Sequence, residues 1–321
     1  MNLSHKQLVI VTPVYEDRDA AARLFGELSA RFGAALFVIA VDDGSVRQPL
    51  DVESLRAAGL DGVVLRLRRN VGHQQAIAIG LGYAADHIGP QHEVVVMDSD
   101  GEDMPETIPR LLDRLRGGDV DVVVAQREKR VETIWFKAFY AIYKRFFGLM
   151  TGRAISFGNF MALKAHAVRR LVSMQELSVH VAGTVLASKL RTGLCALPRG
   201  PRYAGHSKMN FVGLTLHGFK GLMVFAEDVL VRVGIACTLT AALSVVGAIV
   251  AVGLKLAGFS TPGWFSVALG ILVLIFLQTG ALALMTLMLT GVVRGGTIAS
   301  SIAYLAFVDE IFETGQKVET P

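Results

Sequence analysis

Short apolar runs alternate with segments of helical periodicity along the first 125 residues. Such runs, rich in valine, isoleucine and leucine, predict buried β-strands. Helices are expected between them, at about 19–32 and near 105–116, where Pro105 favours the first turn of a helix. Strands that alternate with helices predict a parallel α/β sheet, which binds ligands at the carboxyl ends of its strands. The predicted strands are 8–14, 35–41, 62–67, 93–98 and 120–125.

The C-terminal third of the chain has long uncharged stretches instead. Residues 233–254 contain no charge and would measure about 33 Å as a helix, and 264–293 form a second uncharged run of 30 residues. A soluble core rarely uses so long an apolar run, so we predict two membrane-spanning helices rather than a buried hairpin. Arg232 and Arg294 flank this hairpin, and the positive-inside rule therefore places both of its ends in the cytoplasm. The mixed stretch 211–232 is expected to lie along the membrane surface as amphipathic helices.

The composition sharpens this division. Of 321 residues, 52% are hydrophobic and 19% are charged, with a formal net charge of +4, yet Lys255 is the one charged residue between 233 and 293. The apolar excess is thus confined to the hairpin, which argues against a purely cytosolic enzyme, a many-pass transporter and a disordered chain. The basic residues are scattered, so we expect a membrane and no nucleic acid as partner. The expected organisation is a catalytic domain, a juxtamembrane segment, a hairpin and a cytoplasmic tail, at 1–210, 211–232, 233–293 and 294–321.

The strongest chemical signal is an acidic cluster directly after the fourth predicted strand. It contains Asp98, Ser99 and Asp100, followed by Glu102 and Asp103. Closely spaced carboxylates offer the hard oxygen ligands that Mg²⁺ or Mn²⁺ prefers beside substrate phosphates. An acidic turn that caps the next helix is the alternative, and we favour that alternative for Asp103 alone.

The other strand-end loops carry polar residues that suit a nucleotide. Each loop taken singly is also a plausible turn, and His73 is expected mainly to open the helix that follows it. Together, at one edge of a sheet, these loops predict a ligand site. The candidates are Pro13, Tyr15 and Glu16 after the first strand, Asp42 and Asp43 after the second, and Asn70 and Gly72 after the third.

Six ordered motifs resemble those of the family 2 glycosyltransferases, which have the GT-A fold. Four of them are VTPVYE, VDDGS, NVGHQQA and MDSDGED, in that order along the chain. The polyprenyl-phosphate branch of the family is more similar still, because the chain adds Arg127-x-x-Arg130, Arg202-x-x-Gly205-x-Ser207-Lys208 and a C-terminal two-helix hairpin. The resemblance implies an α/β fold with a mixed, Rossmann-like GT-A sheet, followed by a juxtamembrane segment and a transmembrane hairpin.

The resemblance also implies roles for the candidate residues. Asp98 and Asp100 would act in catalysis together with Arg127 and Arg130. Asp98, Asp100 and Glu102 would bind Mg²⁺ or Mn²⁺. The substrate site would contain Pro13, Tyr15, Glu16, Asp42, Asp43, Asn70, Gly72, Asp98 and Ser99, with Arg127, Arg130, Arg202, Ser207 and Lys208 near the phosphates. Guanidinium groups match phosphate geometry, although cations so close to a membrane also serve as anchors.

One position departs from the family pattern. Relatives often carry Asp-x-Gly where this chain has Ser156, so a base role for that aspartate does not transfer. A phosphate monoester is largely dianionic at neutral pH and needs little help from a base, because its second pKa is about 6. The leading hypothesis is therefore inverting transfer of a sugar, expected from a UDP-sugar, to a polyprenyl (undecaprenyl-type) phosphate.

The expected location is the cytoplasmic face of the inner membrane, and a homotetramer is plausible by resemblance. Two alternatives stay open. A catalytically silent scaffold of the same fold would lack the metal, and a processive polysaccharide synthase would share the N-terminal motifs but normally needs more spanning helices.

Overall fold

A computed structural model of the chain describes residues 6–127, 134–153, 157–203, 211–259, 263–296 and 304–315. The five predicted strands are confirmed, with ends that differ by at most two residues. Three further strands, β6 to β8, were not predicted. The strands are β1 (Leu8–Val14), β2 (Leu36–Asp42), β3 (Asp61–Leu67), β4 (Glu93–Val96), β5 (Val122–Arg127), β6 (Met161–Lys164), β7 (Thr192–Leu197) and β8 (Val308–Glu313).

All eight strands form one sheet in the order β7-β5-β6-β4-β1-β2-β3-β8. Strand β6 lies between β4 and β5 and is antiparallel to both, and β8 is antiparallel to β3. The remaining pairs are parallel. The mixed sheet expected from the family resemblance is therefore confirmed. The five strands predicted from the sequence all run in the same direction, and the strands that make the sheet mixed are the unpredicted β6 and β8.

The helices cover both faces of the sheet. Because side chains alternate along a strand, β1 directs Val9 and Val11 into one core and Leu8 and Ile10 into the other. The first core is shared with α3, α6 and α7, and the second with α1, α2 and α4. The helices are α1 (Arg18–Phe32), α2 (Glu53–Ala57), α3 (His73–His87), α4 (Ile108–Gly117), α5 (Ile134–Thr151), α6 (Ala165–Val172), α7 (Val181–Ala187), α8 (Phe211–Met223), α9 (Ala226–Leu256) and α10 (Trp264–Gly296).

The last two helices form an apolar hairpin. The most apolar 18-residue windows of 226–256 and 264–290 have mean hydropathies of 2.3 and 2.4, and each stretch is long and apolar enough to cross a membrane. Little of this surface is buried: 17% of the most apolar window of α9 and none of that of α10. Gly247 of α9 allows close packing, since a Cβ there would stand 3.1 Å from a methyl group of Leu272 on α10.

The structure divides the chain differently from the expected boundaries. One compact unit contains the described residues of 1–145, 153–224 and 300–321, and the other those of 146–152 and 225–299. The expected C-terminal tail therefore does not stand apart, because its residues 308–313 form β8 of the sheet. The expected juxtamembrane segment 211–232 comprises α8 and the first residues of α9.

Candidate active site

The acidic loop, Asp98 to Asp103, follows β4 at the carboxyl end of the parallel strands. Met97 N donates to Val11 O at 3.1 Å, and the buried Ser99 hydroxyl donates to Pro13 O at 3.1 Å. These two bonds attach the loop to the end of β1. The acidic residues are thus held at the sheet edge where ligands bind to this class of fold.

Hydrogen bonds within the acidic loop fix its turn. Asp98 N donates to Asp103 Oδ2 at 2.9 Å, and Glu102 N donates to Asp100 Oδ1 at 3.0 Å. Gly101 has φ +89°, a left-handed conformation that favours glycine. Asp103, expected to cap the following helix, accepts from Asp98 N within the loop, and the N-cap position of the helical turn at 105–107 is Met104.

Two arginines pair with carboxylates of the acidic loop. Arg202 Nη2 lies 2.9 Å from Asp100 Oδ2, and Arg202 Nε donates to Glu102 Oε1 at 3.1 Å. The Arg199 guanidinium pairs with the other oxygen of Glu102. Sequence reasoning placed Arg202 near a substrate phosphate and missed Arg199, which belongs to none of the motifs.

The electrostatics of Asp100 reflect this setting. Burial raises the pKa of its carboxyl group, and the charge of Asp98 raises it further, while Arg202 and Arg199 oppose both effects. The charged form of Asp100 therefore depends on a nearby cation, and here that cation is a guanidinium group.

Asp42, the last residue of β2, and Asp43, which follows it, hold two neighbouring loops in place. Asp42 is fully buried and accepts from Ser45 N at 3.0 Å and Leu50 N at 2.9 Å. Asp43 accepts from the backbone N–H groups of residues 71 and 72 at 2.7 and 3.0 Å. Burial raises the pKa of Asp43, and the two backbone donors act against that rise. Both carboxylates thus organise loops at the sheet edge, whatever else they bind.

Glu16 has a similar structural role. Its carboxylate accepts from the backbone N–H groups of Val46, Arg47 and Gln48, at 2.8 to 3.1 Å. Its own N–H donates to Ser45 Oγ at 2.8 Å, and its φ of +48° is unusual for a residue with a side chain. Glu16 therefore ties the loop after β1 to the loop after β2.

These contacts predict a specific pH dependence. The backbone donors at Val46 and Arg47 lower the pKa of Glu16 from its usual 4.5. A lowered pKa adds stability above the unfolded value, and this contribution is lost as the pH falls through the folded value. The thermal stability of the wild type should therefore fall below pH 4.5, and Glu16→Gln should show a shallower fall over the same range. Melting curves in detergent from pH 6 to about pH 3 test this; an unchanged slope in the variant would refute it.

His73, the first residue of α3, lies beside the acidic loop. Its Nε2 is 3.2 Å from Asp98 Oδ1 and 3.1 Å from Asn159 Nδ2. Burial alone would lower the pKa of His73, but the charge and hydrogen bond of Asp98 outweigh that effect and raise it. The sequence interpretation gave His73 mainly the role of opening a helix; the structure adds a contact with the acidic loop.

The other candidates lie at or near this edge. Tyr15 is exposed at 44% after β1, Asn70 is exposed, and Gly72 has φ +92° just before α3. Arg127 is the last residue of β5. The positions of Arg130, Ser156, Ser207 and Lys208 lie outside the described residues.

The acidic loop suits a divalent cation in chemistry but is not assembled around one. Asp98, Asp100 and Glu102 supply only hard oxygen donors, as Mg²⁺ or Mn²⁺ prefers. In the part of the chain that the structure describes, however, no group of three acidic, histidine or cysteine side chains is arranged to hold a metal ion. Arginines face two of the three carboxylates instead.

The mixed sheet, its two helical layers and the acidic loop after β4 define a GT-A-like α/β domain, which is followed by an apolar helical hairpin. The chain belongs to glycosyl transferase family 2, whose model matches residues 9–173. It is 27% identical over 227 residues to an uncharacterized glycosyltransferase of Synechocystis sp., covering 68% of this chain and 70% of that protein.

A second relative is the undecaprenyl-phosphate 4-deoxy-4-formamido-L-arabinose transferase of Klebsiella pneumoniae. It is 27% identical over 218 residues, which are 65% of this chain and 64% of that transferase. Among solved structures, glucosyl-3-phosphoglycerate synthase from Mycobacterium tuberculosis, in complex with Mn²⁺, UDP-glucose and phosphoglyceric acid, is 17% identical. That alignment covers 71% of this chain and 79% of that one, with a TM-score of 0.48.

Proposed function

We propose that this protein transfers a sugar from a nucleotide-sugar donor to a polyprenyl phosphate at the membrane surface. The observation that carries the proposal is an acidic loop at the strand ends of a family 2 domain, in a chain that continues into two apolar helices. The named activity of the Klebsiella transferase, which acts on undecaprenyl phosphate, supports the same acceptor class. Among the described residues, two helices are long and apolar enough to cross a membrane, whereas a processive synthase normally needs more. This difference favours transfer to a lipid.

The reaction would be a direct displacement at the anomeric carbon of the sugar. An oxygen of the lipid phosphate forms the new bond as the bond from that carbon to the donor diphosphate breaks, which inverts the configuration. The attacking phosphate is already largely dianionic, so Ser156 in place of an aspartate is compatible with this route. The protein would contribute mainly by orienting the two substrates.

Individual residues have defined parts in this proposal. The loops organised by Glu16, Asp42 and Asp43 would receive the nucleotide, for which we propose uridine. Arg202, with Arg127, Arg130, Ser207 and Lys208, would bind phosphate groups, which guanidinium forks match well. Asp98, Asp100 and Glu102 would hold Mg²⁺ or Mn²⁺, which when bound stabilises negative charge on a leaving diphosphate.

Strand β8 supports a hairpin with both ends on one side of the membrane. Strands β1 to β7 precede the apolar helices in the chain and β8 follows them, yet β8 pairs with β3 in the same sheet. A folded sheet cannot be divided by a bilayer, because its backbone hydrogen bonds need one continuous environment. We therefore propose two spans with both ends on the same side, and the flanking Arg232 and Arg294 support the cytoplasm as the side of the catalytic domain.

Cysteine labelling tests this topology. In a background of Cys195→Ser and Cys237→Ser, Phe259→Cys places a thiol just after α9, at a side chain 75% exposed, and Val46→Cys places one on the catalytic domain, at 85%. A membrane-impermeant maleimide should label the Phe259→Cys variant in intact spheroplasts and the Val46→Cys variant only after permeabilisation. Equal labelling of both before permeabilisation would rule out the proposed arrangement.

The activity itself is tested with a panel of nucleotide sugars. Each would be offered with undecaprenyl phosphate to the full chain in detergent, and the lipid product identified by mass. One donor should give the mass of a single sugar on the lipid phosphate. Failure of every donor, or release of free sugar alone, would refute the proposal.

A further inference from the structure

The carboxylates expected to bind a metal already have cationic partners within the chain. Arg202 contacts Asp100 Oδ2 and Glu102 Oε1, and Arg199 contacts the second oxygen of Glu102. The side chains of Asp100 and Glu102 are each 15% exposed, so these ion pairs are shielded from solvent more than surface pairs are.

The segment that carries the arginines is fixed to the acidic loop by its backbone. Gly200 N donates to Glu102 O at 3.0 Å, and Tyr203 N donates to Asp100 O at 2.8 Å. Tyr203 also donates through its hydroxyl to Glu27 Oε2 on α1 at 2.6 Å. Only the side chains of Arg199 and Arg202 would therefore have to move for their guanidinium groups to leave the carboxylates.

Close packing keeps this backbone where it is. A Cβ on Gly101 would stand 2.8 Å from the Tyr203 ring, and a Cβ on Gly200 would stand 2.5 Å from Gly101 O. The Arg23 guanidinium covers the Tyr203 ring at 4.3 Å from its centroid. The side chains of Arg199 and Arg202, 36% and 28% exposed, are the parts of this contact that reach solvent.

We propose that Arg199 and Arg202 are internal counter-cations of the acidic loop, which a divalent cation must displace before it binds. The proposal rests on the metal assignment of the proposed function. A divalent ion needs the lone pairs that now accept from the guanidinium groups, and like charges a few ångströms apart repel each other strongly in a poorly solvated site. Binding of the cation and binding of the arginines are thus mutually exclusive. The exchange releases two guanidinium groups beside the position where substrate phosphates are expected.

Direct Mn²⁺ binding tests this exchange without any substrate. The full chain in detergent would be titrated with Mn²⁺, and free Mn²⁺ followed by electron paramagnetic resonance. The double variant Arg199→Gln/Arg202→Gln should bind Mn²⁺ at least about tenfold more tightly than the wild type, since its competitor is gone. Arg199→Gln alone should give an intermediate affinity, and it is the milder variant because Arg199 is 36% exposed.

The matched control is Arg110→Gln. Arg110 Nη2 donates to Ala196 O at 3.1 Å, and among the described contacts it reaches no carboxylate of the acidic loop. The Arg110→Gln substitution removes one positive charge, as Arg199→Gln does, but at a distance from the acidic loop. The Mn²⁺ affinity of this control should therefore stay within about twofold of the wild type. Equal or weaker Mn²⁺ binding by folded Arg199→Gln, or an equal gain in the control, would overturn the proposal.

The two proposals fail separately. The Mn²⁺ titration contains no sugar and no lipid. An unchanged Mn²⁺ affinity of the arginine variants, together with lipid-linked product from the wild type, would refute the exchange and uphold the transferase. A tightened affinity together with no lipid product would uphold the exchange and refute the acceptor.

Discussion

Asp100→Ala is expected to lower the rate of sugar transfer by at least about a hundredfold, which is a typical effect of losing one electrostatic group at a reacting centre. Both carboxylate oxygens of Asp100 have contacts in the site: Oδ1 accepts from Glu102 N, and Oδ2 pairs with Arg202. Alanine removes a proposed metal ligand and leaves the Arg202 guanidinium with one acidic partner fewer. Initial rates of lipid-linked sugar formation in detergent would measure the loss.

Two further variants separate the charge of Asp100 from its structural role. Asp100→Asn keeps an oxygen that can accept from Glu102 N but removes the negative charge, so it should be nearly as inactive as the alanine variant. Glu106→Ala is the matched control, because this exposed acid lies in the helical turn 105–107, just after the acidic loop. This variant should keep wild-type activity. Activity of Asp100→Ala equal to that of Glu106→Ala would contradict the assignment of the acidic loop.

Gly44→Ala is expected to have the largest effect on stability. Gly44 has φ +68°, and a Cβ there would stand 2.5 Å from the carbonyl carbon of Arg69 and 2.6 Å from Asn70 N. Both are main-chain atoms, so the loops after β2 and β3 would have to separate. That movement would also stretch the bonds from Asp43 to the backbone at residues 71 and 72. We expect a loss of about 3 kcal/mol or more, from strain and overpacking together.

Gly33→Ala isolates the contribution of the left-handed backbone. Gly33 has φ +52° at the end of α1, but a Cβ there would meet nothing within 4 Å. With ψ −134° the backbone there is one that residues with a side chain rarely adopt, so the cost should be about 1–3 kcal/mol from the backbone alone, below that of Gly44→Ala. Melting temperatures in detergent compare the two variants, with about 2–4 °C expected per kcal/mol for a domain of this size. Equal losses for Gly33→Ala and Gly44→Ala would show that the loops are not in close contact.

The first five strands could be predicted from the sequence because each is a local run of apolar residues. Strands such as β1 and β2 are buried along their whole length, so their apolar runs have no competing explanation. Strand β6 has only four residues. Strand β8 has the sequence VDEIFE, and its charges conceal an edge strand that pairs with β3 more than 240 positions away. Such a pairing depends on tertiary contacts that no local pattern contains.

The same distinction applies to the candidate site. The acidic loop could be found because its carboxylates are neighbours in sequence directly after a buried strand. Arg199 could not, because it reaches Glu102 across nearly 100 residues and lies in no motif. His73 had a signal in the sequence, because it follows Gly72 in the loop after β3. Its contact with Asp98 could not be predicted, because that contact depends on the sheet bringing the ends of β3 and β4 to one edge.

The central claim is that one sugar passes from a nucleotide to a lipid phosphate. The most direct measurement is the mass of the lipid after incubation of the full chain with undecaprenyl phosphate and the best donor of the panel, with undecaprenol as a parallel acceptor. Our account predicts a gain of a single sugar on the phosphorylated lipid and none on undecaprenol. A sugar on undecaprenol, a chain of several sugars, or an unchanged lipid with consumed donor would contradict it.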